Sequence, residues 1–77
     1  MNHNPKQTIL DLLAAGHEIA ALADAEDNAR KNEALARQAI GFFNAANALL
    51  TAFAEFHKEL IEHPLFMAAR KFSRRYS

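Results

Sequence analysis

The architecture of this chain follows from one stretch, LARQAIGFFNAANALLTAFAEFHKEL, which runs from Leu35 to Leu60. Its apolar residues recur at alternating steps of four and three, the spacing that places side chains on one face of an α-helix. These residues are Leu35, Ala39, Phe42, Ala46, Leu49, Phe53, Phe56 and Leu60. The pattern predicts one helix, helix 2, over about 33–62, and such a helix spans roughly 45 Å.

A shorter helix precedes this stretch. Asn4 is a good N-cap residue, and Pro5 suits the first helical position because its missing N–H would have no partner there. Apolar residues then recur at helical spacing as far as Ala23, which predicts helix 1 over about 5–24. The polar residues 25–32 are the predicted connection, although either helix can extend into it, since no proline or glycine marks its ends. Helix 1 spans only about 30 Å, so it cannot cover all of helix 2.

A third helix, helix 3, is predicted over about 64–75. Proline disfavours helical geometry in the residue before it, so helix 2 ends at His63 and Pro64 can open a new helix. The apolar residues of helix 3 fall on one side, at Leu65, Ala68, Ala69, Phe72 and Tyr76. This helix either folds back over the part of helix 2 that helix 1 leaves bare, or reaches across to a second subunit.

The composition predicts an all-α fold. The chain has 17 alanines and 9 leucines but no valine and no tryptophan, and alanine and leucine are strong helix formers. With 77 residues there is room for one domain, 1–77, and a domain of this size has a thin core that oligomerisation often supplements. Cysteine is absent, which excludes disulfides. We therefore expect an antiparallel helical hairpin of short helix 1 and long helix 2, with the short C-terminal helix added.

Helix 2 carries a second line of residues at heptad spacing, and all of them are small. Between Arg37 and Glu55 no charge appears on any face, and a helix that lacks charge all round is usually buried all round. We therefore expect a homodimer, a dimeric helical bundle in which this face, or part of the wide aromatic face, meets a second copy. The alternative is that alanine supplies helix propensity at an exposed surface. The candidate self-association residues are Gly41, Ala45, Ala48, Ala52, Asn47, Phe43 and Leu50.

The chain lacks the residue patterns of enzymes and of metal sites. It has no cysteine nucleophile and no pair of histidines four residues apart, and its two glycines are too few for a phosphate-binding loop. Glu59 and His63 share a helix face, but a solvated ion pair explains them better than a metal site. His57 flanks the apolar stripe, where we expect a packing role. We therefore predict no catalytic residue, no cofactor and no metal, and a protein that is not an enzyme.

Charge is distributed unevenly, although the formal net charge is zero. Residues 1–62 hold five basic and nine acidic side chains, whereas residues 63–77 hold four basic and no acidic ones. Basic residues interleaved with aromatic ones can bind nucleic acid, an anionic membrane surface or an acidic protein groove. The alternative is that these cations favour the C-terminal end of a helix while Phe72 and Tyr76 are core residues. The candidate partner-binding residues are Phe66, Met67, Arg70, Lys71, Arg74 and Arg75.

The lack of catalytic patterns, together with more apolar helical surface than one copy can bury, favours a protein-binding module. We expect a cytoplasmic homodimer that docks on a larger protein partner and modulates or inhibits it. The alternative is a nucleic-acid-associated regulator that uses the basic C-terminal helix, with an affinity that falls steeply as salt rises. A membrane role fits less well, because the uncharged run 38–54 is short for a span and contains polar residues.

Overall fold

The computed structural model describes residues 4–76, and the regular secondary structure within them is helical. The elements are α1 (Pro5–Ala25), α2 (Ala29–Ala52), a 3-10 turn (Ala54–Phe56), α3 (His57–Leu60) and α4 (Pro64–Arg75). The prediction of an all-α fold is confirmed. The ends of the predicted domain, residues 1–3 and 77, lie outside the described residues.

The hairpin of α1 and α2 has a shorter connection than the predicted 25–32. The side-chain oxygen of Asn4 caps α1 by accepting from the Gln7 N–H at 3.3 Å. The side chain of Asn28 caps α2 by accepting from the Arg30 and Lys31 N–H groups at 3.0 and 3.1 Å. Because Asn28 satisfies the first free N–H groups of α2, this helix begins at Ala29 and the connection is only residues 26–28.

The buried face of α2 is rotated relative to the predicted stripe. The residues of α2 that are buried against α1 are Ala36, Ala39, Phe43, Ala46 and Leu50. The buried face of α2 therefore contains Phe43 and Leu50 in place of Phe42 and Leu49, the residues of the predicted stripe. Gly16 of α1 faces this part of α2, since a Cβ at this glycine would overlap the Phe43 ring and would lie 3.2 Å from the Phe42 Cβ. The Phe43 ring occupies the space that a side chain at position 16 would fill.

The structure also differs from the prediction of one helix over 33–62. Here α2 ends at Ala52, Phe53 leaves helical geometry with φ −108° and ψ 62°, and the chain bends by 101° before continuing to Leu60. A straight helix would run past the start of α1 and leave its last turns unpaired. The bend instead returns this segment to the core, where Leu60 is fully buried and Phe56 and Ile61 pack beside it.

The last helix, α4, folds back over the hairpin of its own chain. It buries Phe66, Ala69 and Phe72. The His17 Nε2 lies 2.7 Å from the Leu65 carbonyl oxygen, and the Arg75 guanidinium pairs with Asp24 at 2.7 Å. These two contacts set α4 alongside the second half of α1, running in the same direction.

Membrane-spanning potential is limited in the part of the chain from 4 to 76. No single helix there has the length and apolar character needed to cross a bilayer. The α2 helix and the segment Ala54–Leu60 are together long and apolar enough, but the two are bent by 101° at the break between them.

Candidate functional site

A groove of about 480 Å³ lies between α2, α3 and α4. Its floor is apolar and includes side chains from every side of the core, namely Leu13, Phe43, Ile61, Phe66 and Ala69. Its rim is polar and consists of Asn44, Asn47, His57, Arg70, Ser73 and Arg74. We refer to these eleven residues as the groove.

The rim of the groove is electropositive. Arg70 and Arg74 lie one helical turn apart on α4, and across from them α2 presents the exposed amides of Asn44 and Asn47. Among the residues that the structure describes, no aspartate or glutamate lines the groove. Guanidinium groups and amides donate hydrogen bonds to carboxylates, and guanidinium–carboxylate pairs have a well-matched planar geometry. The arrangement therefore suits an apolar body that carries a negatively charged group.

The predicted partner-binding residues divide into two groups. Arg70 and Arg74 are at the rim, while Met67 and Lys71 are exposed on α4 outside the groove. Phe66, expected to be free for a partner, is instead only 7% exposed and forms part of the floor. The reason is the bend before α3, which turns that side of α4 onto the core.

Arg75 also lies outside the groove, and it is engaged in contacts within its own chain. Its guanidinium is hydrogen-bonded to Asp24 and lies 5.4 Å from the centroid of the Phe72 ring and 5.7 Å from that of Tyr76. The hydrogen bond and the charge of Asp24 raise the pKa of Arg75 above its ordinary value. The contact ties the end of α4 to the end of α1.

The predicted self-association residues also separate. Gly41, Ala45, Ala48 and Ala52 are all exposed, on the side of α2 that faces away from α1, and we call these four the small-residue face. Phe43 and Leu50 are 4% and 1% exposed and pack in the hairpin core, so they offer no surface to a second copy. Asn47 is exposed but lies at the rim of the groove instead of on the small-residue face.

Gly41 has no packing reason within its own chain. A Cβ placed on it would meet no described atom within 4 Å, whereas a Cβ on Gly16 would collide with Phe43. Glycine in a helix interior costs roughly 1 kcal/mol relative to alanine. At Gly16 the packing of the Phe43 ring in the hairpin accounts for this loss of helix stability. At Gly41 no contact within the chain accounts for it.

Sequence reasoning did not single out the remaining rim residues. His57 was expected to pack at the edge of the stripe, but it is exposed and lines the groove together with Ser73. These positions come from separate helices, and only the bend after Ala52 brings them together. The sequence offers no local signal for such a juxtaposition.

Within residues 4–76, no three histidine, aspartate or glutamate side chains come together in a way that would hold a metal ion.

Comparisons of the chain with protein-family models, with curated proteins and with solved structures give no match. The assignment of a function therefore rests on the geometry of the groove and of the small-residue face.

Proposed function

We propose that this protein is a non-enzymatic binding module whose groove receives a segment of a larger protein partner. The observation that carries the proposal is the apolar floor beneath a rim with two arginines and no acidic residue among those described. Such a groove fits an apolar stretch of chain, for example one face of an amphipathic helix, flanked by aspartate or glutamate. A partner held in this way loses the use of the bound segment, which gives the module an inhibitory or modulating effect.

A protein partner fits better than nucleic acid. Binding of single strands relies on aromatic side chains that stack on bases. Phe72 is buried, and the Tyr76 ring is partly buried and lies against it with 5.0 Å between the ring centroids. Arg75 is paired with Asp24. The tail therefore offers cations without stacking platforms, and the groove supplies an apolar floor that phosphates do not use.

The groove predicts a specific effect of charge reversal. We expect peptides selected from a displayed random library to combine apolar and acidic residues, and Arg70→Glu to weaken their binding by about tenfold, roughly 1.4 kcal/mol. Lys71→Glu is the matched control, because it makes the same charge change on the same helix outside the groove. Binding is measured by calorimetry with purified peptides.

The proposal fails if both variants lose the same affinity, because the effect is then general electrostatics. It also fails if no peptide is selected. Binding of a nucleic-acid oligomer that both substitutions weaken equally, with a steep dependence on salt, would favour the alternative function.

We further propose that the module works as a homodimer through the small-residue face. Its support is the exposure of all four residues, the absence of charge from Gln38 to Ala54, and a glycine at position 41 that the single chain does not require. Small residues at heptad spacing let two helices approach closely, and a two-fold pair is the commonest outcome for such a surface.

A substitution on this face tests the dimer. We expect Ala48→Glu to halve the molar mass measured by sedimentation equilibrium, because it places a charge where two helix backbones meet. Ala21→Glu is the control, since Ala21 is also an exposed alanine but lies on α1. An unchanged mass for Ala48→Glu would exclude the small-residue face as the interface.

A further inference from the structure

The turn at 53–56 breaks a helix at a place where the sequence provides no helix breaker. The stretch from Phe42 to His63 contains no proline and no glycine, and the residues around the break include good helix formers such as Ala52, Ala54 and Glu55. Phe53, with φ −108° and ψ 62°, lies outside helical geometry. The 3-10 turn Ala54–Phe56 follows, with φ −94° and ψ −2° at Phe56, and His57 is again helical with φ −58° and ψ −48°. The break is therefore confined to the four residues 53–56.

The apolar pattern continues through the break in helical register. The line Ala46, Leu49, Phe53, Phe56 and Leu60 keeps its alternating steps of three and four. If residues 53–56 adopted α-helical angles, with ψ near −42°, then α2 and α3 would form one helix of about 48 Å. That helix would gain the backbone hydrogen bonds of a continuous α-helix across the turn.

The unit formed by α3 and α4 is joined to the hairpin by this turn and by side-chain contacts. Its contacts include buried Phe66 and Phe72, the His17 hydrogen bond to the Leu65 carbonyl, and the ion pair of Arg75 with Asp24. A straight helix would carry the unit away from its own hairpin and expose both apolar surfaces. The surface that matches the released unit is the same hairpin surface on a second copy.

We propose that two copies of this chain exchange their α3–α4 units, with the 53–56 turn straightened into helix in both. Every contact between the unit and a hairpin is kept, but it now joins two chains. The groove is then built from both copies, with Asn44 and Asn47 from one chain facing Arg70 and Arg74 of the other. Phe53, which is 37% exposed in the single chain, gains a place between the two long helices where they cross.

This inference goes beyond the proposed function and does not depend on it. The exchange uses the hinge and the α4 surface, whereas the proposed dimer uses the small-residue face. Ala48→Glu separates the two, because it breaks a dimer held by the small-residue face and leaves an exchanged dimer intact. A failure of the peptide experiment likewise leaves the exchange unaffected.

Every protein in the test carries Ala48→Glu, which removes the small-residue interface, so that any dimer arises from exchange. The chain that is unmodified at position 54 is compared with Ala54→Pro after unfolding in guanidinium and refolding at high and at low protein concentration. Proline at 54 fits the first position of the 3-10 turn and disfavours helical geometry at Phe53, so it holds the turn closed. We expect the chain unmodified at 54 to give a dimer fraction that grows with the refolding concentration and persists on dilution. We expect Ala54→Pro to remain monomeric under the same conditions, with an unchanged helical circular dichroism spectrum.

A second variant keeps the experiment decisive if Ala54→Pro does not fold. Ala54→Gly weakens the straight helix by about fivefold per chain, so the dimerisation constant should fall by about 25-fold. In the dimer refolded from isotope-labelled and unlabelled chains, isotope-filtered NMR should show contacts between Phe43 of one chain and Phe72 of the other. A dimer without these intermolecular contacts, an Ala54→Pro protein that dimerises like the unmodified one, or the absence of any dimer would overturn the proposal.

Discussion

Two glycines of the hairpin have opposite surroundings, and substitutions at both test how the hairpin is packed. Gly16→Ala places a Cβ where it overlaps the Phe43 ring, so we expect a net loss of stability of about 1–2 kcal/mol after the gain in helix propensity. Gly41→Ala meets no described atom and should stabilise the single chain by up to about 1 kcal/mol. Urea unfolding at low protein concentration measures both. A Gly16→Ala protein as stable as the original would mean that the ring moves aside freely.

The residue scale also shows why the predicted stripe was rotated. Phe42 and Phe43 are adjacent and equally apolar, so the heptad pattern alone does not decide which of them faces α1. The Phe43 ring packs against Gly16, 27 positions away in the sequence, where the absence of a side chain leaves room for it. The apolar pattern of one helix does not show which side chains the opposite helix has room for.

At the scale of single elements, α4 depends on its first turn. The Nδ1 atom of His63 accepts a hydrogen bond from the Leu65 N–H at 3.1 Å, which caps the helix just before Pro64. We expect His63→Ala to lower the free energy of unfolding by about 1 kcal/mol, because this N–H loses its partner. His63→Asn should restore most of the loss, since asparagine is a good N-cap residue. Thermal unfolding followed by circular dichroism provides the measurement.

A control for the cap is available on the preceding helix. His57→Ala removes an exposed imidazole that makes no cap, and it should leave the stability almost unchanged. If His63→Asn unfolds as easily as His63→Ala, the histidine contributes through packing and not through the cap.

The two helix starts that a proline marks could be predicted from the sequence, whereas the start of α2 and the break after Ala52 could not. Asn4–Pro5 and His63–Pro64 coincide with the starts of α1 and α4, because a capping side chain and a proline act within one turn of the chain. The break after Ala52 has no such local cause. Local propensity favours continued helix there, and the burial of Leu60 outweighs it, a contribution that depends on contacts with the rest of the molecule.

At the scale of the whole molecule, the same limit applies to the candidate site. The sequence pointed to Arg70 and Arg74 through the run of positive charge in the tail, and both lie at the groove. It did not indicate the apolar floor beneath them, because that floor combines residues of α1, α2 and α4 with Ile61, the residue after α3. It also did not indicate that Asp24 would hold Arg75, since the two are 51 positions apart.

The position of Tyr76 at the end of α4 gives the protein an internal optical reporter. The chain has one tyrosine and no tryptophan, so nearly all emission excited near 280 nm comes from the last described residue, directly after α4. The phenol ring is partly buried and packs against the hydrophobic core, which it reaches only while the C-terminal helix is docked. Release of that helix transfers the fluorophore to water. The lifetime and anisotropy of its emission therefore record, without any attached dye, whether the helix is seated on a hairpin.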